Sequence, residues 1–282
     1  MPHFAGKPFE QSKYGILSDA SQVLTPDNEK WVANFTHSLY DSDVIAENIL
    51  QQMIGGGVLQ TDTVFENTNG RTPSSLEYTP FFVETRVSGS TMEFGADSKR
   101  EKAEEALNIV QQKAIEQEVW TGALTKTLTG MDEFRRNRYF SDFNDPNFIS
   151  LSDTALSPNN ALALMEEGIG EHTLGIRGVI HMPRRIASLA SIEADSGDSE
   201  ILYTELGNYV IAGSGYTKIG TDYWLFGTGP MTVVLGAAQI IPVEHSQAVD
   251  TRKNNIEYIA QKPVGVFWTT STVLGVKVDP NL

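Results

Sequence analysis

Glycines, histidines, carboxylates and arginines are the residues through which this sequence could carry chemistry. Gly213-Ser214-Gly215 sets two glycines one residue apart, followed by Tyr216, Thr217 and Lys218. A dinucleotide loop needs a third glycine and a helix behind it, and a P-loop needs Lys followed by Ser or Thr. The sequence has neither, so the pair reads as tight-turn chemistry between strands. His3, His37, His172, His181 and His245 are scattered. Glu171-His172 and His181 flank an expected strand and could meet at a metal, but there is no HExxH motif and no helical His pair. Surface or hydrogen-bonded histidines are the plainer reading. Glu104-Glu105 and Glu166-Glu167 are sequence neighbours, and neighbours on a helix do not face one another. Asp142-Phe143-Asn144-Asp145 lacks the glycine and closing glutamate of a calcium loop, and no GxSxG elbow occurs. The expectation is a chain with no catalytic residues, no cofactor and no metal.

Arg135, Arg136 and Arg138 form the compact basic cluster of the sequence. A nucleic-acid patch would need more charge with interleaved aromatics. Bidentate pairing with carboxylates suits three arginines better. The net charge of −15 repels phosphate backbones and argues against a nucleic-acid reader. With no cysteine, disulfides and thiolate metal sites are excluded. The opening Met1-Pro2-His3-Phe4 is unlike a signal peptide, so the acceptor pattern Asn34-Phe35-Thr36 carries little weight. The longest apolar run, 230–243, falls short of the ~20 residues that span a bilayer. Hydrophobic residues at 40% and charged residues at 20% of 282 fit one elaborate folded domain, or two closely joined ones.

The elements that must position these residues follow from periodicity. Pro2, Gly6, Pro8 and Gly15 break up an N-terminal arm. Trp31, Phe35 and Leu39 then recur at helical spacing, and Ile45, Ile49 and Met53 stripe a second helix over 42–54, stopped by Gly55-Gly56-Gly57. Residues 57–89 read as one long hairpin. Val58, Thr61, Thr63 and Phe65 lie on the outgoing strand, and Asn67-Thr68-Asn69-Gly70 supplies the turn. The return strand sets Phe81, Val83, Thr85 and Val87 against Phe82, Glu84 and Arg86 on the other face. Arms of about 10 residues would reach ~33 Å, and such a hairpin is marginal alone, so it needs another surface to lie on.

A long helix is expected over 98–124, with Ser98 and Glu101 as a capping box and Gly122 near its end. Ala103, Ala106, Leu107, Val110, Ala114, Val119 and Trp120 form its apolar stripe, while Glu101, Lys102, Glu104, Glu105, Lys113, Glu116 and Glu118 mark wet positions. Residues 125–157 are polar and irregular. A helix over 157–168, a strand over 176–181 and a short helix over 184–191 follow. Strands over 209–212, 223–226, 231–235, 239–243, 256–260 and 264–268 complete the chain, without internal repeats.

Several stretches then carry a resemblance. They are Ala114-Ile115-Glu116-Gln117-Glu118-Val119-Trp120-Thr121-Gly122, Gly175-Ile176-Arg177-Gly178-Val179-Ile180-His181-Met182-Pro183, and Gly213-Ser214-Gly215-Tyr216. Trp224-Leu225-Phe226-Gly227-Thr228-Gly229-Pro230-Met231 and Asp250-Thr251-Arg252-Lys253-Asn254-Asn255 with Ala260 join them. In this order they resemble the Johnson, or Hong Kong 97-type, fold of tailed-bacteriophage major capsid proteins, actinobacteriophage members above all, over roughly 57–278. The resemblance implies an α+β fold with an N-arm and short helices (1–56), an E-loop hairpin (57–97), a P-domain (98–156 and 241–282, with the spine helix at 98–124) and an A-domain (157–240). It implies a non-enzymatic major capsid protein, assembled in the bacterial host cytoplasm, that forms hexamers and pentamers of an icosahedral virion. The shell would enclose double-stranded DNA without reading it, beside separate scaffolding, portal and decoration proteins, and without a membrane.

Inter-subunit contacts are expected at Trp31, Phe35, Asn69, Gly70, Arg71, Arg86, Arg135, Arg136 and Arg138. Two alternatives stay open: an encapsulin-type compartment of the same fold, and a soluble nucleotide-binding α/β enzyme using the Gly213 loop. Some relatives join subunits through a lysine near the E-loop tip, but no lysine lies between Trp31 and Ser98, so covalent cross-linking is not expected. Too few residues precede the hairpin for a cleaved N-terminal scaffolding domain.

Overall fold

The computed structural model describes residues 13–26, 35–38, 75–78, 80–90, 96–123, 139–173, 176–195, 201–243, 248–250, 255–270 and 272–282. In chain order they form β1 (Gln22–Leu24), β2 (Phe35–Ser38), β3 (Ser75–Tyr78), β4 (Phe81–Ser90), α1 (Ala96–Thr121), β5 (Phe148–Ser150), α2 (Pro158–His172), β6 (Val179–Pro183) and α3 (Arg184–Ala187). Then come β7 (Glu193–Ala194), β8 (Leu202–Tyr203), β9 (Tyr209–Gly213), β10 (Tyr223–Thr228), β11 (Met231–Leu235), β12 (Gln239–Ile241), β13 (Val249–Asp250), β14 (Asn255–Trp268) and β15 (Val273–Val278). The architecture is α+β: a six-stranded sheet, a seven-stranded sheet and a two-stranded ribbon.

β14 is the spine of the six-stranded sheet. Its alternate residues Ile256, Tyr258 and Ala260, then Val264, Val266 and Trp268, are buried, as a half-buried strand requires. One edge pairs with β4 over its full length, from Ser90 opposite Asn255 to Phe81 opposite Val264. Along the other edge run β13, β12 and β11 in turn, and β1 adds in parallel to β11. α1 lies across β4 and β14, with Ala103, Leu107 and Ile115 fully buried. The seven-stranded sheet runs β5-β15-β10-β6-β9-β8-β7. α2 seals it with Ala161, Leu162, Met165 and Ile169. Phe140 joins the two sheets, its ring 5.6 Å from Phe226 of β10, 5.4 Å from Trp268 of β14 and 6.2 Å from Trp120 of α1.

The structure departs from the sequence reading at particular elements. Phe35–Ser38 is a strand, not part of a helix: it pairs antiparallel with β3, and a run of aromatic and β-branched residues accepts that pairing. The rest of that helix stripe (Trp31, Leu39), the helix over 42–54 and the turn at 67–70 lie outside the described residues. The return strand of the hairpin shows the expected alternation, Phe81 and Val83 buried and Phe82, Glu84 and Arg86 exposed. Its hydrogen-bonded partner is β14, whereas the outgoing arm lies outside the described residues. α1 begins at Ala96, so Ser98 falls inside the first turn instead of capping it. Val110 is 38% exposed, whereas Glu116 and Glu118, expected to be wet, are 0% and 2% exposed.

Pro263 does not split the last strand in two. It sits between the residues paired to β12 and those paired to β11, where a missing N–H is tolerated, while β4 pairs across it. β6 starts at Val179, α3 ends at Ala187, and β15 was not expected. Gly275 thins β15 in sequence because a Cβ there would meet the Phe148 ring at 2.6 Å.

Candidate functional site

The densest polar chemistry is built on a glutamate inside the long helix. Glu116 Oε1 accepts the Ile16 backbone N–H and the Gln112 side-chain amide, each at 3.2 Å. Its Oε2 accepts the Ser214 hydroxyl at 3.1 Å and the Gly215 N–H at 2.6 Å. A fully buried carboxylate is tolerated only when such donors replace water, and charge-assisted bonds are roughly twice as strong as neutral ones. The Gly213-x-Gly215 loop therefore does hold an anion, and that anion belongs to its own chain. Glycine is needed at 215, where a Cβ would lie 2.6 Å from the Lys113 carbonyl oxygen. A Cβ at Gly15 would collide with the Gln112 amide, so the N-terminal segment also depends on a bare backbone to reach α1.

A neutral chain continues from this carboxylate. Tyr216 stacks on Trp120 at 4.5 Å, and the Trp120 indole N–H donates to the Thr217 carbonyl at 2.8 Å. The Tyr216 hydroxyl meets His181 Nδ1 at 3.1 Å, and His181 Nε2 meets Thr228 Oγ1 at 3.1 Å. Thr228 spends its own proton on the Gly229 carbonyl. Its oxygen must then accept from His181 Nε2–H, leaving Nδ1 to accept from Tyr216. Burial lowers the His181 pKa from 6.5 to about 3. Burial, with the Glu116 charge behind it, raises the Tyr216 hydroxyl well above its ordinary value. Both groups stay neutral at physiological pH, and both are sealed from solvent. The arrangement ties the N-terminal segment, α1, β6, β10 and the loop after β9 into one joint.

The residues expected from sequence at subunit contacts are placed unevenly. Arg86 stands on the exposed face of β4 and pairs with Glu257 of β14 at 3.2 Å. Phe35 is on β2, opposite Tyr78. Trp31, Asn69, Gly70, Arg71, Arg135, Arg136 and Arg138 lie outside the described residues. Sequence reasoning missed Glu116. The available signal was its position one helical turn from both Gln112 and Trp120, within the buried stripe. Among the described residues, no group of three or more His, Asp or Glu could hold a metal, and no helix is long and apolar enough to cross a membrane. Exposed large apolar residues among those described include Phe82 on β4, Val23 and Leu24 on the edge strand β1, and Ile109 and Val110 on α1.

The sequence matches no protein-family model and no curated protein. Solved structures match it in three dimensions. The capsid of the native GTA particle superposes with a TM-score of 0.55 at 10% identity, covering 98% of this chain and 99% of that one. The capsid of Myoviridae phage XM1 gives 0.54 at 12% identity, with 99% and 97% covered. A chain of Mycobacterium phage Cain gives 0.51 at 9% identity, with 99% and 95% covered. At such identities the likeness is one of fold, the Hong Kong 97-type fold, and it does not single out the actinobacteriophage members.

Proposed function

We propose that this chain is the major capsid protein of a tailed phage. It assembles into hexamers and pentamers of an icosahedral head around double-stranded DNA. The observation that carries this reading is the end-to-end match with two capsid chains, in which almost nothing is left over on either side. A fold shared by chance with an unrelated domain would leave insertions or whole regions uncovered. The nucleotide-enzyme alternative loses its main support, because the Gly215 N–H it would offer to a phosphate is given to Glu116.

On this reading 98–156 and 241–282 take the role of P-domain, with α1 as the spine helix, and 157–240 that of A-domain. The 57–97 stretch is the E-loop that reaches a neighbour. Trp31, Phe35, Asn69, Gly70, Arg71, Arg86, Arg135, Arg136 and Arg138 are the proposed contact residues. Separate scaffolding, portal and decoration proteins would act beside it, and the assembled shell is the virion. Negative-stain microscopy of purified material tests the proposal. Closed shells that protect double-stranded DNA from nuclease support it. Shells filled with a cargo protein would point to an encapsulin, and a discrete nucleotide-binding monomer would refute the shell reading altogether.

A further inference from the structure

Three cations stand on two aromatic rings at the start of β10. Lys218 Nζ lies 4.7 Å from the centre of the Tyr223 ring. The Arg185 guanidinium carbon lies 5.6 Å from the centre of the same ring, and its Nη1 is 3.4 Å from the Tyr223 hydroxyl. On the next residue, and so on the other face of the sheet, Lys277 Nζ sits 5.4 Å from the Trp224 ring centre. They come from α3, the loop after β9, and β15, which is why no basic run in the sequence announces them.

Lys277 is already paired, with Asp222 at 3.8 Å. Arg185 and Lys218 share one ring and have no ion-pair partner among the described residues. A ring face attracts a cation and restricts its side chain, but it does not neutralise the charge. Two like charges on one ring also repel each other, and both residues are exposed. An anion placed over them would relieve that repulsion and would meet donors whose side chains are already ordered, so little further entropy is lost on contact.

We propose that the Arg185–Lys218 pair docks carboxylates of a neighbouring copy of this chain, an inference that rests on the assembly function proposed above. The identity of the anion follows from the charge of the chain. At −15, every neighbouring copy brings a surface rich in carboxylates, such as the exposed Glu167 and Glu171 one turn apart on α2. The patch and the acidic surface are different parts of one chain. Made head-to-tail, such a contact propagates around a ring. Two cations on an acidic molecule neutralise few phosphates, and affinity for nucleic acid scales with that number, so DNA is the weaker occupant.

The test is the paired variant Arg185→Glu with Lys218→Glu, beside the charge-keeping pair Arg185→Lys with Lys218→Arg, each produced as wild-type particles are. The charge-keeping pair should assemble like wild type. The reversal pair should fold normally and lose assembled material by about tenfold or more, as expected when like charges are juxtaposed across a contact. Wild-type assembly should weaken as salt rises. If the reversal pair does not fold, Arg185→Gln with Lys218→Gln replaces it and should still lower assembly. Normal shell yield from the reversal pair overturns the inference. Normal shells with reduced DNA content also overturn it, and they assign the patch to phosphate. Wild-type protein that never assembles would instead overturn the shell reading beneath it.

Discussion

Glu116 is held by donors from three separated stretches of chain, so its replacement tests how the joint is stabilised. Glu116→Gln keeps the size but turns one acceptor oxygen into a donor facing other donors, which should cost about 1–3 kcal/mol. Glu116→Ala leaves all of those donors unpaired in a dry site and should cost more, roughly 3–5 kcal/mol. Denaturant unfolding of dissociated subunits would measure both. His181 makes a second prediction, with a definite sign. Its folded pKa of about 3 lies below the free value of 6.5, so the unfolded chain takes up the proton first as pH falls. The stability linked to His181 is fully present above pH 6.5 and is lost progressively as pH falls toward about 3. Between pH 7 and pH 5 that loss should be ~2 kcal/mol, and His181→Gln should flatten it in unfolding curves at the two pH values. The sequence left surface and hydrogen-bonded roles open for its histidines, and His181 takes the second. Glu116 was not, because a glutamate's burial is set by donors about a hundred residues away in sequence, and helical periodicity reports only on neighbours.

Among the elements, β4 shows where local pattern suffices and where it fails. Its alternation of Phe81 and Val83 inward with Phe82 and Arg86 outward is written in the strand itself. Its pairing with β14, some 170 residues later, is a long-range event that no hairpin signal encodes. The same reasoning explains β2, where strand pairing with β3 prevailed over an apparent 3.6-residue period at Phe35. β14 shows the converse: the separate strands expected over 256–260 and 264–268 are one, and Pro263 between them falls where the partner strand changes. Deleting Asn67 to Ser75, the expected hairpin tip, should leave β4 and α1 folded, because their partners lie elsewhere in the chain. Circular dichroism should be unchanged while shells fail to close. Regular shells at normal yield from that variant would remove the hairpin from its proposed role as a clasp.

At the scale of the whole molecule, two sheets meet at Phe140, and a carboxylate joint ties the N-terminal segment to the long helix. The order of elements along the chain carried the fold, whereas Phe140 came from a stretch that reads as polar and irregular. Phe82, Ile109 and Val110 stay exposed on the outside of this interior. Exposed apolar residues on an otherwise acidic molecule are consistent with the proposed assembly. Many modest contacts repeated around a closed surface then give a stability that no single contact has. Static light scattering with microscopy on the purified protein, under conditions where native particles form, tests this most directly. The account predicts closed, regular shells of very large mass with little free subunit. A compact monomer as the only species under those conditions would contradict it.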